Sequence, residues 1–158
     1  MSKHAHEGHF VRVVAPSASL PNPQTQVAIA VDTAYIAANA GQNITTGIYM
    51  FDNQLNLGSS NEGQLELHTV CNNHSLIGFE AYPMDINSGD SVAITGFNVS
   101  QGNVFGGAGY PIQQTPSYWI GQAMNSGSQT YQIQIKVTTG GLRPVSYYVN
   151  WDPFITSQ

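Results

Sequence analysis

Charged side chains are scarce in this chain. They make up 8% of its 158 residues, whereas an average soluble domain has about 25%. Asn, Gln, Ser, Thr and Gly must therefore form most of the surface. Four Lys and Arg against nine Asp and Glu give a net charge of −5, which excludes a basic patch for nucleic acid or an anionic membrane. Such a surface favours self-association or hydrogen-bonded recognition of neutral polar ligands such as sugars, although an ordinary β protein with unusual surface residues has the same composition.

Cysteine and long apolar runs are also nearly missing. The single Cys71 cannot form an internal disulfide. A chain of 158 residues buries about 68–70% of its unfolded surface, which is enough for one core without a disulfide or a metal. No stretch approaches the roughly 18 apolar residues of a membrane helix, and the N-terminal residues are polar, unlike a signal peptide. We therefore expect a soluble, cytoplasmic protein that does not insert into a membrane.

Common catalytic motifs are absent from the sequence as well. The chain has no G-x-S-x-G, H-E-x-x-H or C-x-x-C, and its Gly-rich stretch over residues 101–111 has no Lys to hold a phosphate. Cys71 and His74 are three positions apart and form a candidate nucleophilic pair, but a buried inert thiol is the commoner role of a lone cysteine. The sequence therefore predicts a protein that is not an enzyme and needs no cofactor.

The N-terminal residues differ in composition from the rest of the chain. His4, His6 and His9 are spaced so that neutral imidazoles can bind a transition metal, but a flexible leader is the simpler explanation, because no Cys or carboxylate cluster would hold such a site rigid. A Pro- and Ser-rich linker follows, and proline-rich sequence does not continue a helix or a strand. We predict a leader and linker over residues 1–23 and one compact domain over residues 24–158.

The clearest secondary-structure signal lies near the C-terminus. Residues 131–137 alternate strictly between apolar and polar side chains, which is typical of a half-buried antiparallel strand. A turn leads into a second, aromatic strand over residues 145–156. Similar short patterns recur upstream, with one or two helical turns over residues 33–39 that Asp32 or Thr33 can cap. The sequence predicts an all-β protein, an antiparallel β-sandwich of about seven or eight strands, with a jelly roll as one form of it.

Candidate ligand-binding residues lie at strand ends and beside the Gly-rich loop. Asp32 ends a buried strand, and aromatic rings near flexible glycines can stack on a sugar. Trp151 is in phase with Tyr147 and Val149, which predicts a core position, so Asn150 and Asp152 face the other way. The candidate residues are Asp32, Tyr110, Tyr118, Trp119, Asn150 and Asp152.

Two short motifs resemble a known family. Val31-Asp-Thr-Ala-Tyr-Ile36 and the ending Trp151-Asp-Pro-Phe-Ile-Thr156 are similar to the "VDT-x-YI" and "WDP-x-IT" motifs of the bacterial inclusion-body protein family, to which PixA and AidA belong. The resemblance covers residues 27–156. It implies a small soluble protein that accumulates in cells or is induced by quorum sensing, and it supplies no catalytic residues.

The resemblance and the composition together predict a function. We expect a non-catalytic protein that self-associates, most simply as a dimer, and has a structural, host-interaction or stress-related role under density or stress control. The aromatic C-terminal strand is a dimer surface if it lies at a sheet edge. The four methionines are fewer than in the methionine-rich inclusion proteins, which weighs against a storage role. The alternative is a lectin-like β-sandwich that binds carbohydrate.

Overall fold

The structure is a computed structural model, and it describes residue 11 and residues 23–158. The predicted leader and linker, with His4, His6 and His9 as a candidate metal site, lie outside the described residues apart from Val11 and Pro23. The predicted domain from residue 24 onward begins with a strand at Thr25.

Within the described residues the chain forms ten strands, one short helix and one 3₁₀ turn. The strands are β1 (Thr25–Val31), β2 (Ile48–Asp52), β3 (His68–Cys71), β4 (Leu76–Pro83), β5 (Ser91–Gly102), β6 (Ile112–Thr115), β7 (Tyr118–Gln122), β8 (Gly127–Thr138), β9 (Ser146–Trp151) and β10 (Phe154–Ser157). Helix α1 spans Thr33–Ala38 and the 3₁₀ turn spans Leu55–Leu57. The all-β prediction is confirmed, but the strand count is higher, because β6 carries no alternation and the last strand is split in two.

The strands form two mixed sheets. The first sheet has the order β2-β1-β4-β7-β6, and the second has the order β3-β10-β8-β5, with β9 also paired to β8. The expectation of purely antiparallel pairing is wrong, since β1 is parallel to β4 and β3 is parallel to β10. Alternation within one strand indicates which face is buried and carries no information on the direction of its neighbour. β1 and β4 can be parallel because α1, β2 and β3 lie between them in the chain and bring it back to the end of the sheet where β1 begins.

The inward-facing side chains of both sheets share one core. Phe79 of the first sheet lies 5.7 Å, centroid to centroid, from Tyr131 of the second. Trp151 is 9% exposed, and its Nε1 donates to the Met50 sulfur at 3.1 Å. The predicted core position of Trp151 is therefore confirmed, and its contact with Met50 ties β9 to β2.

A break between β9 and β10 shapes one edge of the second sheet. Trp151 lies opposite Ile133, and Phe154 lies opposite Thr130, so β8 pairs with β9 and β10 in a single continuous register. Pro153 has no N–H to donate, and only its carbonyl bonds β8, to the Tyr131 N–H. Beyond this break β3 covers β10, whereas within residues 23–158 β9 pairs with β8 alone.

Candidate functional site

The three predicted site aromatics do not converge. Trp119 points inward, with its ring 5.5 Å from Phe97. Tyr110 packs on Phe105, and its hydroxyl accepts a hydrogen bond from Gln129 Nε2 at 3.1 Å. The hydroxyl of Tyr118 instead lies 3.4 Å from Gln26 Nε2. Trp119 and Tyr110 therefore make contacts within the core, whereas Tyr118 lies on the outer face of the first sheet beside Gln26.

Asp32 acts as a helix cap. Its Oδ1 accepts a hydrogen bond from the backbone N–H of Tyr35 at 3.0 Å, and its own N–H donates to the Gly47 carbonyl at 2.8 Å. This is the N-cap role expected for an aspartate directly before a helix. The carboxylate lines none of the cavities described below, so it is separate from the other predicted site residues.

Asn150 and Asp152 lie in a groove beside β9. Two cavities of about 360 Å³ and about 550 Å³ share Ile44, Leu65 and Trp151 in their walls, and we call the pair the edge groove. Asn150 lines the smaller cavity and Asp152 the larger one. The remaining walls come from the segment after α1 and the segment before β3, over residues 39–46 and 63–66.

The smaller cavity runs along the strand edge of β9. It is lined by all of residues 147–151, whose side chains alternate between the two faces of the sheet. A cavity that touches five consecutive residues of a strand must lie against its edge, because a cavity on one face meets only alternate residues. The edge groove therefore lies where β9 lacks a second neighbour.

Several polar groups of the groove are not used by the fold. Asn39 donates to the Tyr35 carbonyl at 2.9 Å, but the side chains of Gln42, Asn43 and Asn150 bond no residue that the structure describes. The hydroxyls of Tyr147 and Tyr148 are likewise unbonded among these residues. The smaller cavity thus combines free amides and phenols with an apolar floor that includes Trp151.

The outer face of the first sheet is mostly apolar. Its side chains follow from the strand register, which places Ala28 beside Phe51 and Ala30 beside Tyr49 and Tyr82. We name this surface the apolar face, and it consists of Gln26, Ala28, Ala30, Tyr49, Phe51, Leu76, Gly78, Glu80, Tyr82, Ile112, Thr115, Tyr118, Ile120 and Gln122. Glu80 is its single charged residue, and no helix or strand of residues 23–158 lies over it.

The outer face of the second sheet is polar instead. Thr95 Oγ1 lies 2.9 Å from Gln134 Oε1, and Asn98 Nδ2 lies 3.3 Å from Gln132 Oε1. These amides and hydroxyls bond each other across β5 and β8. The two outer faces therefore differ in chemistry, and only the first exposes a continuous apolar surface.

The candidate nucleophilic pair does not form. Cys71 is fully buried, and burial raises the pKa of its thiol, which lowers its thiolate content at neutral pH. His74 is exposed in a turn at φ 71°, and its Nε2 lies near Asn73. Among residues 23–158 no three His, Cys, Asp or Glu side chains cluster as metal ligands, and no helix there is long and apolar enough to span a membrane.

Asp52 and Glu62 form an acidic pair that the sequence does not reveal. Glu62 Oε1 accepts a hydrogen bond from the Asp52 N–H at 2.8 Å, while Asp52 Oδ2 and Glu62 Oε2 are buried without a partner. Burial, and then the neighbouring charge of Asp52, raise the pKa of Glu62, although the Asp52 N–H opposes this. The nine residues between them form a loop, so no sequence periodicity predicts their contact.

The walls of the edge groove were also missed by sequence reasoning. Residues 39–46 and 63–66 are irregular, and they meet β9 only in the folded chain, because the first segment leads from α1 into β2 of one sheet and the second leads into β3 of the other. The run Asn39 to Asn43 is rich in amides, but this composition is equally typical of a solvent-exposed turn.

Comparisons with known proteins identify the fold and a family. A family model described as "Domain of unknown function (DUF8788)" matches residues 23–143. The crystal structure of an inclusion body protein, PixA, from Burkholderia cenocepacia J2315 has the same fold, with a TM-score of 0.67 and 21% sequence identity. The similarity covers 90% of this chain and 100% of that one, so the resemblance to the inclusion-body family is confirmed at the level of fold. No curated protein matches the sequence.

Proposed function

The chain belongs to the DUF8788 family of unknown function, and from this premise we propose that it is a non-catalytic, cytoplasmic protein that self-associates through its apolar face. The proposed role is structural or in host or stress interaction, under density or stress control. The apolar face is the observation that carries the proposal.

The apolar face exposes large side chains that a monomer normally buries. Ile112 is 65% exposed, Phe51 is 43% exposed and Tyr82 is 37% exposed. Isolated exposed apolar residues are ordinary, whereas a continuous patch on a regular surface is typical of an interaction site. These three residues lie on β2, β4 and β6, and apolar residues of β1 and β7, among them Ala28 and Ile120, lie between them. The side chains therefore form one patch.

A second copy of the chain is the partner that fits this surface. Glu80 is the single charge on it, so two copies can meet without a basic partner surface to neutralise an acidic one. The five strands have four to eight residues each and, spaced about 4.8 Å apart, span roughly 450 Å² in projection. A surface of side chains has a larger accessible area than its projection, and a stable interface of standard size buries about 800 Å² per partner.

Low charge and the fold neighbour support the same function. Only 8% of the residues are charged, so long-range repulsion between copies is weak. The solved structure with the same fold is described as an inclusion body protein. A two-fold dimer is the simplest assembly that one self-complementary surface produces.

The proposal predicts a dimer that charge on the apolar face disrupts. We expect multi-angle light scattering to give a dimer mass, and the Tyr82→Lys, Ile112→Lys double variant to give a monomer at the same concentration. Lysine in this contact must be desolvated, which opposes association. Circular dichroism checks that the variant remains folded.

Thr130→Lys is the matched control, because Thr130 lies on the outer face of the second sheet. This variant should stay dimeric. A wild-type chain that is monomeric at about 1 mM, or a dimer that the double variant leaves intact, would overturn the proposal.

A further inference from the structure

The edge groove presents two kinds of hydrogen-bonding group. Along β9, the backbone N–H and C=O groups that point away from β8 have no strand partner within residues 23–158. Across the cavity, the amides of Gln42 and Asn43 face the same space as Asn150. These three amides are exposed, so they are hydrated in the free protein and can exchange water for the hydroxyl groups of a polar ligand.

The floor of the groove is aromatic and rigid. Trp151 is held by its Nε1 contact with the Met50 sulfur, and the neighbouring Tyr148 is 62% exposed at the mouth of the groove. A volume of about 360 Å³ falls within the range of small-molecule sites. The exposed ring of Tyr148 and the amides together match the alternating C–H and O–H surfaces of a sugar ring.

The charges of the groove select against anions. The smaller cavity has no charged side chain in its wall, and the larger one has two charged residues, Glu66 and Asp152, both acidic. A carboxylate or sulfate on the ligand would meet these two carboxylates without a cation to neutralise it. A cationic ligand would be drawn to the two carboxylates of the larger cavity, whereas the uncharged smaller cavity suits a neutral ligand.

From these observations we propose that the edge groove binds a neutral saccharide. Its hydroxyls donate and accept at once, so they pair with the amides of Asn43 and Asn150 and with the free edge of β9. An added peptide strand would use the edge of β9 through its backbone alone and leave the facing amides without a role. The edge groove and the apolar face share no residue, so a negative result for saccharide binding would leave the proposed self-association unaffected.

The test is a glycan array with the full-length chain, followed by calorimetric titration of the neutral mono- and disaccharides that bind best. We expect neutral glycans to bind in preference to sialylated or sulfated ones. Asn150→Ala should weaken binding by about tenfold, the loss expected when a ligand hydrogen bond is removed. Asn98→Ala is the matched control, because Asn98 is an exposed amide on the same sheet outside the groove, and it should leave the affinity unchanged.

Three outcomes would overturn the site. The first is that no neutral glycan binds at about 10 mM. The second is that anionic glycans bind better than neutral ones, and the third is that Asn150→Ala leaves the affinity unchanged. A synthetic hexapeptide of alternating Thr and Val tests the competing hypothesis, in which a peptide strand pairs with the edge of β9. If this peptide shifts the amide resonances of β9 in NMR spectra and no saccharide does, the groove takes a strand rather than a sugar.

Discussion

Single buried polar groups show how individual residues constrain this protein. Glu62 and Asp52 meet with one oxygen each buried and unpaired, so their negative charges repel at close range. The folded state therefore favours the protonated form of Glu62, and burial is the largest cause of its raised pKa. A proton on Glu62 removes this repulsion and the cost of burying its charge.

The raised pKa of Glu62 predicts a pH-dependent stability. Because the folded pKa lies above the ordinary value of 4.5, its stabilising contribution is present below pH 4.5 and is lost as the pH rises through the folded pKa. Glu62→Gln stays neutral, and its amide can donate to Asp52. We expect the variant and the wild type to melt alike near pH 4 and the variant to melt about 2 °C higher near pH 7.

Thermal melts by circular dichroism across this pH range measure the difference. Glu66→Gln is the control, because Glu66 is exposed, and its melting difference from the wild type should not change with pH. A Glu62→Gln difference that is constant across the range would contradict a raised pKa of Glu62.

Residue roles were predictable where a local rule applies. Asp32 precedes a helical segment, and the structure confirms it as an N-cap. Trp119 was not predictable, because its neighbours Tyr118 and Ile120 are also apolar and either face of such a run can point inward. Only contact with Phe97 of the other sheet decides its direction.

At the scale of elements, the Gly-rich loop between β5 and β6 is more constrained than its composition suggests. The Gly109 N–H donates to the Phe105 carbonyl at 2.8 Å, and the Gly109 carbonyl accepts from the Gln122 N–H at 2.9 Å. A Cβ at Gly109 would collide with the backbone oxygens of Gln122 and Phe105. Gly107, two positions earlier, has open space around it.

This difference predicts unequal effects of the same substitution. Gly109→Ala should lower the free energy of unfolding by about 2–3 kcal/mol, because backbone atoms on both sides must move. Gly107→Ala should change it by less than about 0.5 kcal/mol. Urea denaturation followed by tryptophan fluorescence measures both, and equal effects would show that the loop does not approach Gly109 this closely.

Elements with strict alternation were predictable, and short exposed ones were not. The alternating stretch at residues 131–137 lies inside β8 as expected. All four residues of β6 are exposed, so the strand has no buried side chain to produce a pattern. Its pairing with β7 comes from backbone hydrogen bonds, which any sequence without proline can supply.

Across the whole molecule, one aromatic core joins the two sheets. Tyr131 packs against Phe79 and Phe105, and its hydroxyl is buried without a partner. The nearby Tyr110 also packs on Phe105, but its hydroxyl is bonded to Gln129. Because the sheets share this core, we expect them to unfold in one transition.

The two tyrosines predict opposite effects of removing a hydroxyl. Tyr131→Phe removes an unpaired buried group and should raise the free energy of unfolding by about 1 kcal/mol. Tyr110→Phe leaves Gln129 Nε2 without a partner and should lower it by about 1 kcal/mol. Differential scanning calorimetry measures both variants. A destabilised Tyr131→Phe would mean that its hydroxyl has a partner in solution.

The sequence by itself determined the local chemistry of this protein. The scarcity of charge, the alternating strands, the helix cap at Asp32 and the core position of Trp151 all follow from residue types and their spacing, and the two end motifs identify the fold that the solved neighbour shares. These properties depend on neighbours in the chain, so periodicity and composition are sufficient to read them.

Only the tertiary structure decided which surfaces remain available for function. The apolar face requires five strands from across the chain to align in one sheet. The edge groove exists because β3 pairs with β10, whereas the segment that leads into β3 does not pair with β9 and leaves the edge of that strand open. Strand order and direction depend on contacts between residues far apart in sequence, and alternation within a strand is the same whichever neighbour it takes.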